Sequence, residues 1–166
     1  MGAGKSTVGR LVAERLRFEF VDTDAQIERR AGLSVSEIFA RFGEAQFREM
    51  EKVVVGELEQ RDRTVIATGG GLGANPERLA SLKTHALVCY LAASAEKLFE
   101  RVRHSSHRPL LNDPDPLGRL RALLASREPV YRQADVLVCT DWRMPGETAQ
   151  YLVMQFRDAL AGGKPA

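Results

Sequence analysis

The feature that most limits what this chain can become stands at its front: Met1-Gly-Ala-Gly-Lys-Ser-Thr7, followed at once by Val8, Leu11, Val12 and Leu16 at helical spacing. A glycine-rich turn that hands over to Gly-Lys-Ser and an amphipathic helix is the second half of a phosphate-binding loop. In full that loop reads GxxxxGKS or GxxxxGKT, between a buried strand and a helix. Gly2, Ala3 and Gly4 bring backbone N–H groups around phosphate oxygens at the positive end of the helix, and Lys5 reaches the β- and γ-phosphates. Ser6 is placed to ligate Mg²⁺ and Thr7 to touch the α-phosphate. The first glycine of the pattern falls two positions before Met1, so a launching strand and that glycine are expected upstream, in a longer gene product.

The rest of the chain alternates strands with helices. "FEFVDTD" reads as a short buried strand ending in carboxylates. "AQIERR" and "SVSEIFARF" read as two short helices parted by Gly32, with Ser34 as an N-cap. "EAQFREMEKVVVGELEQ" puts Phe47, Met50, Val54 and Leu58 on one face of a longer helix. A strand "TVIATGGG", a helix from about Pro76 to Leu82, a strand "ALVCYL" and a helix from near Ser94 follow. "RHSSHRPLLNDPDP" has three prolines and no period, which predicts an exposed loop. A helix through "LGRLRALLASREPVY", a strand "DVLVCT" and a helix through "ETAQYLVMQFRDAL" complete the pattern, with "AGGKPA" a frayed tail. This alternation predicts an α/β fold: a parallel sheet covered by helices on both faces, with ligands bound beyond the carboxyl ends of its strands.

The candidate chemistry falls at those ends. Asp22 and Asp24 could divide labour, one near Mg²⁺ and the other polarising a substrate hydroxyl; equally, Asp24 could simply cap the next helix. Gly69, Gly70 and Gly71 permit close approach by a ligand or make a flexible turn. Among the arginines, Arg48, Arg101, Arg127 and Arg143 sit near these motifs, and Arg108 lies in the proline-rich loop, where it could close over a nucleotide. No role is assigned to His104 or His107.

Bulk properties exclude several classes. The chain has 166 residues, of which 44% are hydrophobic and 28% charged, which suits one globular domain with a real core. No apolar run approaches the roughly 18 residues of a membrane span, and nothing reads as a signal peptide, so a soluble, cytoplasmic protein is expected. Cys89 and Cys139 lie in apolar runs without metal-ligand spacing and are expected to be core thiols in a reducing compartment. A dispersed net charge of +2 gives no sign of nucleic-acid binding. Arginines number 19 against five lysines; a few of these planar forks are suited to holding phosphate or carboxylate at two points.

Taken in order, GAGKST, FVDTD, FRE, TGGG, RPLL and SREPVY resemble the shikimate kinase family, from Gly2 to about Leu160. These are P-loop enzymes of aromatic amino-acid synthesis that transfer the γ-phosphate of ATP to the 3-hydroxyl of shikimate. The resemblance implies a three-layer fold with strand order 2-3-1-4-5, its first and central strand lying before Met1, and therefore weak ATP binding or folding for the chain on its own. It implies that Asp24 contacts the reacting hydroxyl as its base, and that Asp22 assists Ser6 at Mg²⁺. Arg48 and Arg127 would clamp the substrate carboxylate beside Gly70 and Gly71. Arg108 would neutralise phosphate charge from a lid over about 103–116, and Arg101 with the Arg143 to Pro145 segment would flank adenine. A single monomeric domain is implied, with substrate helices over about 24–61. Two other readings remain open: a shikimate-kinase-like sensor domain of a transcription regulator, and a kinase for another small polyol such as gluconate.

Overall fold

The computed structural model describes residues 2–58, 60–103 and 113–163. Arg108 and most of the 103–116 segment therefore lie outside the described residues. Seven α-helices are described: α1 (Lys5–Leu16), α2 (Thr23–Ala31), α3 (Val35–Leu58), α4 (Pro76–His85), α5 (Ala95–Val102), α6 (Pro116–Tyr131) and α7 (Pro145–Ala161). Between them run four strands, β1 (Glu19–Asp22), β2 (Thr64–Ala67), β3 (Cys89–Ala92) and β4 (Val136–Cys139).

The strands form two parallel pairs. β1 lies beside β2 with Asp22 opposite Ala67, and β3 beside β4 with Ala92 opposite Cys139. Each pair joins strands that are neighbours in the expected order, 2-3 and 4-5. A cleft of about 350 Å³ is lined by β2, β3, Val8 and Val12 of α1, and Leu152 and Phe156 of α7. Parallel strands need crossover connections, and every pair here is joined through a helix.

Alternation along β2 explains the layers. Val65 packs with α1 and α7, whereas Ile66 packs with Val21, Ile27, Ile38, Phe47, Val54 and Leu58 from β1, α2 and α3. Successive strand side chains point to opposite faces, so two neighbouring residues hold helices on both sides. β4 is different, with buried Val136 and Val138 alternating with exposed Leu137 and Cys139. The expectation that Cys139 is a core thiol is thus corrected: it lies on the uncovered face of an outer strand. Cys89 is half-buried.

Local signals account for the helix ends. Ser34 and Glu37 exchange the two bonds of a capping box, Glu37 N–H to Ser34 Oγ at 3.2 Å and Ser34 N–H to Glu37 Oε2 at 2.8 Å. Ser94, Asn75 and Asp115 cap α5, α4 and α6. α3 breaks at Gly43, whose φ of 78° and ψ of 173° are open only to glycine, so the short segment SVSEIFARF and the longer EAQFREMEKVVVGELEQ helix read from the sequence meet there.

Candidate active site

The phosphate loop is built as its sequence demands. Gly2 and Gly4 have φ of 73° and 84°, and a Cβ on Gly2 would lie 2.9 Å from the Leu98 carbonyl oxygen, so any other residue would clash. Gly4 is the N-cap of α1, with no side chain capping it and no acidic residue in the first turn. The helix itself therefore places no acidic side chain at its positive end. Ser6 Oγ donates to Asp22 Oδ2 at 2.5 Å, bringing the first turn of α1 to the end of β1.

Asp22 also settles the capping question. Its Oδ1 accepts from the N–H groups of Asp24 and Ala25, at 3.2 and 3.4 Å. Asp22, rather than Asp24, is the N-cap of α2. The possibility that Asp24 merely caps a helix is overturned, and its carboxylate faces the hollow.

That hollow, of about 760 Å³, is lined by Gly2, Ala3, Gly4, Lys5, Ser6 and Thr7 together with Asp22, Asp24, Thr68 and Gly70. At its other end stand Arg101, Arg143 and Pro145, with Thr140 and Trp142. Arg101 donates to the Thr140 carbonyl at 2.5 Å and to the Gly2 carbonyl at 3.4 Å, tying the phosphate loop to the end of β4. Arg143 lies 5.2 Å from the Tyr151 ring centroid.

The glycine run is the junction of the site. A Cβ placed on Gly69 would lie 2.7 Å from both Asp24 Oδ1 and Glu51 Oε1; on Gly70 it would meet Arg127 Nη1 at 3.5 Å; on Gly71 it would run into the guanidinium of Arg48. Three successive residues thus face, in turn, the carboxylates of Asp24 and Glu51, the guanidinium of Arg127 and that of Arg48. Buried Thr23 fixes the run by accepting from Gly69 N–H at 3.0 Å and donating to the Ala67 carbonyl at 3.4 Å.

Sequence reasoning missed Glu51. It is 2% exposed and bonds Arg48 Nη1 at 2.9 Å through Oε2, while Glu44 takes Nη2 at 2.8 Å. The signal was present: Phe47, Glu51, Val54 and Leu58 share one helical stripe, and a carboxylate inside an apolar stripe three residues after an arginine is a buried partner. Asp24 Oδ1 and Glu51 Oε1 are buried without a hydrogen-bond partner among the described residues. Burial, and then the charges of Asp22 and Glu51, push the Asp24 carboxyl above its ordinary range, with Lys5 acting in the opposite direction. A carboxylate so tuned, lining the hollow with Lys5 and Ser6, suits proton abstraction from an alcohol.

Among the described residues, no helix is long and apolar enough to cross a membrane, and no cluster of three His, Cys, Asp or Glu residues could cage a metal. Ser6 and Asp22 are hard oxygen donors of the kind Mg²⁺ takes singly or in pairs, with phosphates and water completing its shell.

A family model described as "Shikimate kinase" matches residues 1–157. The shikimate kinase of Hahella chejuensis is 44% identical over 95% of this chain and 82% of its own length; that of Thermodesulfovibrio yellowstonii is 40% identical over 99% and 94%. The structure of the Acinetobacter baumannii shikimate kinase in complex with shikimate superposes with a TM-score of 0.90 at 39% identity, covering 95% of this chain and 89% of that one. The Aquifex aeolicus enzyme gives 0.82 at 36% identity, covering 97% and 94%. With its phosphate loop, parallel strand pairs and arginine-lined glycine run, this α/β chain belongs to the shikimate kinase family.

Proposed function

We propose that this chain transfers the γ-phosphate of ATP to the 3-hydroxyl of shikimate, with Mg²⁺ as cofactor. One observation carries the reading: the run Gly69, Gly70 and Gly71 abuts Asp24, Arg127 and Arg48 in that order, beside the hollow of Lys5 and Ser6. A small anionic polyol fits such a junction, its carboxylate held between the two guanidinium forks and a ring hydroxyl turned to Asp24.

Each residue then has a physical task. Gly2, Ala3, Gly4, Lys5 and Thr7 bind the triphosphate. Arg101, Arg143 and Pro145 flank the base at the far end. Ser6 and Asp22 would hold Mg²⁺, which when bound would supply positive charge to offset that of the triphosphate. Asp24 accepts the hydroxyl proton and orients the attacking oxygen. Glu51 keeps the Arg48 fork pointed across the glycine run. Phosphoryl transfer asks chiefly for such positioning and charge neutralisation. Arg108, expected to approach the phosphates, lies outside the described residues.

The test is a coupled ADP-release assay with MgATP, comparing shikimate with gluconate. Release that depends on shikimate, and not on gluconate, is expected. Asp24→Asn should cost on the order of 10²–10⁴-fold in turnover while nucleotide binding persists, and Lys5→Ala should damage both. Shikimate-independent release, or a mild effect of Asp24→Asn, would overturn the reading.

A further inference from the structure

The glycine run is held from below by Thr23, but its middle residue is held from α6. Tyr131 Oη donates a hydrogen bond to the Gly70 carbonyl. Tyr131 follows Arg127 by four residues, so the two side chains leave one face of α6 one turn apart. A Cβ on Gly70 would lie 3.5 Å from both Arg127 Nη1 and Tyr131 Oη, and one on Gly73 would lie 3.4 Å from the Tyr131 ring. The ring is braced in turn by Tyr90 of β3, with centroids 5.0 Å apart.

A carbonyl fixed in this way fixes more than itself. The peptide unit is planar and trans, so the Gly71 N–H points opposite to the Gly70 C=O. With the carbonyl turned to Tyr131, that N–H is turned away from the Tyr131 hydroxyl, at the residue against which Arg48 packs. No acceptor takes it up among the described residues. Leu72 N–H donates to the Gly69 carbonyl at 3.3 Å, so the Gly70–Gly71 peptide is the middle of a turn, and glycines at both positions would otherwise let it flip.

We propose that Tyr131 is a positioning residue for the acceptor pocket: by holding the Gly70 carbonyl it presents the Gly71 N–H, beside Arg48 and Arg127, as a fixed donor to the anionic acceptor. Tyr131 touches no substrate; it acts through the backbone. The proposal rests on the reading of this pocket as the shikimate site.

The variant Tyr131→Phe removes the hydroxyl and keeps the ring, and Tyr90→Phe is the comparator, altering the neighbouring ring without touching Gly70. With Tyr131→Phe the KM for shikimate should rise roughly fivefold to tenfold, the loss of about one hydrogen bond, with kcat and the KM for ATP within about twofold. A merely structural role would instead lower the melting temperature and leave the shikimate KM in step with the other constants. The Gly71 amide resonance of ¹⁵N-labelled protein reads the same peptide plane without substrate. It should move more in Tyr131→Phe than in Tyr90→Phe. An unmoved shikimate KM or an unmoved Gly71 amide overturns the assignment. Absence of shikimate-dependent turnover in an unaltered chain that melts cooperatively and binds MgATP sinks the acceptor reading instead, and the amide then decides whether Tyr131 sets the peptide plane.

Discussion

Asp22 bonds Ser6 with one carboxylate oxygen and caps α2 with the other, so a single side chain couples the phosphate loop to the helix that carries Asp24. The two duties separate by mutation. Asp22→Ala loses the cap as well as the Ser6 contact, and should cost about 1 kcal/mol, or roughly 2–4 °C in melting temperature. Ser6→Ala leaves the cap in place and should melt near the unaltered chain. Both should need at least about tenfold more Mg²⁺ for half-maximal ADP release. Thermal melts with magnesium titrations decide it; a Ser6→Ala protein with normal magnesium dependence would remove Ser6 and Asp22 from the metal site.

The buried carboxylate of Glu51 holds a guanidinium that Glu44 grips only from the exposed side. Glu51→Ala leaves half the Arg48 fork without its partner, for a loss of about 1–3 kcal/mol in stability. Arg48 should then wander, raising the KM for shikimate more than that for ATP. Denaturant unfolding, together with the two KM values, tests this. A stable Glu51→Ala protein with an unchanged shikimate KM would mean that Arg48 needs no brace.

How much of this was legible beforehand depended on how local each signal is. The Ser34 cap, the helix face of Phe47, Val54 and Leu58, and the phosphate loop are fixed by neighbours in sequence, and all could be read directly. The cap at Asp22 could not be told from one at Asp24, because both precede the same helix and only the path of β1 decides which carboxylate turns back onto the N–H groups. Cys139 misled because an apolar run looks alike on a covered strand and on an outer one. The glycine run was weak evidence alone: its meaning comes from Asp24, Arg48 and Arg127, brought to it from three separate helices.

The raised Asp24 carboxyl carries a pH signature. A proton retained by the folded chain and already lost by the unfolded one makes stability fall as pH rises from 3.8 through the raised folded value. The base must be ionised to act, so the acid limb of kcat/KM for shikimate should lie above an ordinary aspartate's. Glu51→Gln removes one negative neighbour, and the limb should move to lower pH. A limb that stays put, or moves upward, would contradict an electrostatic role for Glu51 at Asp24.

Trp142 offers a view of nucleotide binding that needs no turnover. It is the sole tryptophan, 85% exposed on the rim of the hollow that holds the phosphate loop, with Lys97 Nζ 5.4 Å from its ring centroid. A nucleobase settling between Arg101 and Pro145 displaces water from beside this indole, so adding MgATP should change its emission. Asp24→Asn, which leaves Arg101, Trp142 and Pro145 unaltered, should keep the full amplitude and midpoint of that change. Lys5→Ala should shift the midpoint to higher nucleotide concentration, because a cation at the β- and γ-phosphates is lost while the rim is untouched. Equal midpoints in the unaltered chain and Lys5→Ala would mean that triphosphate does not sit in this loop.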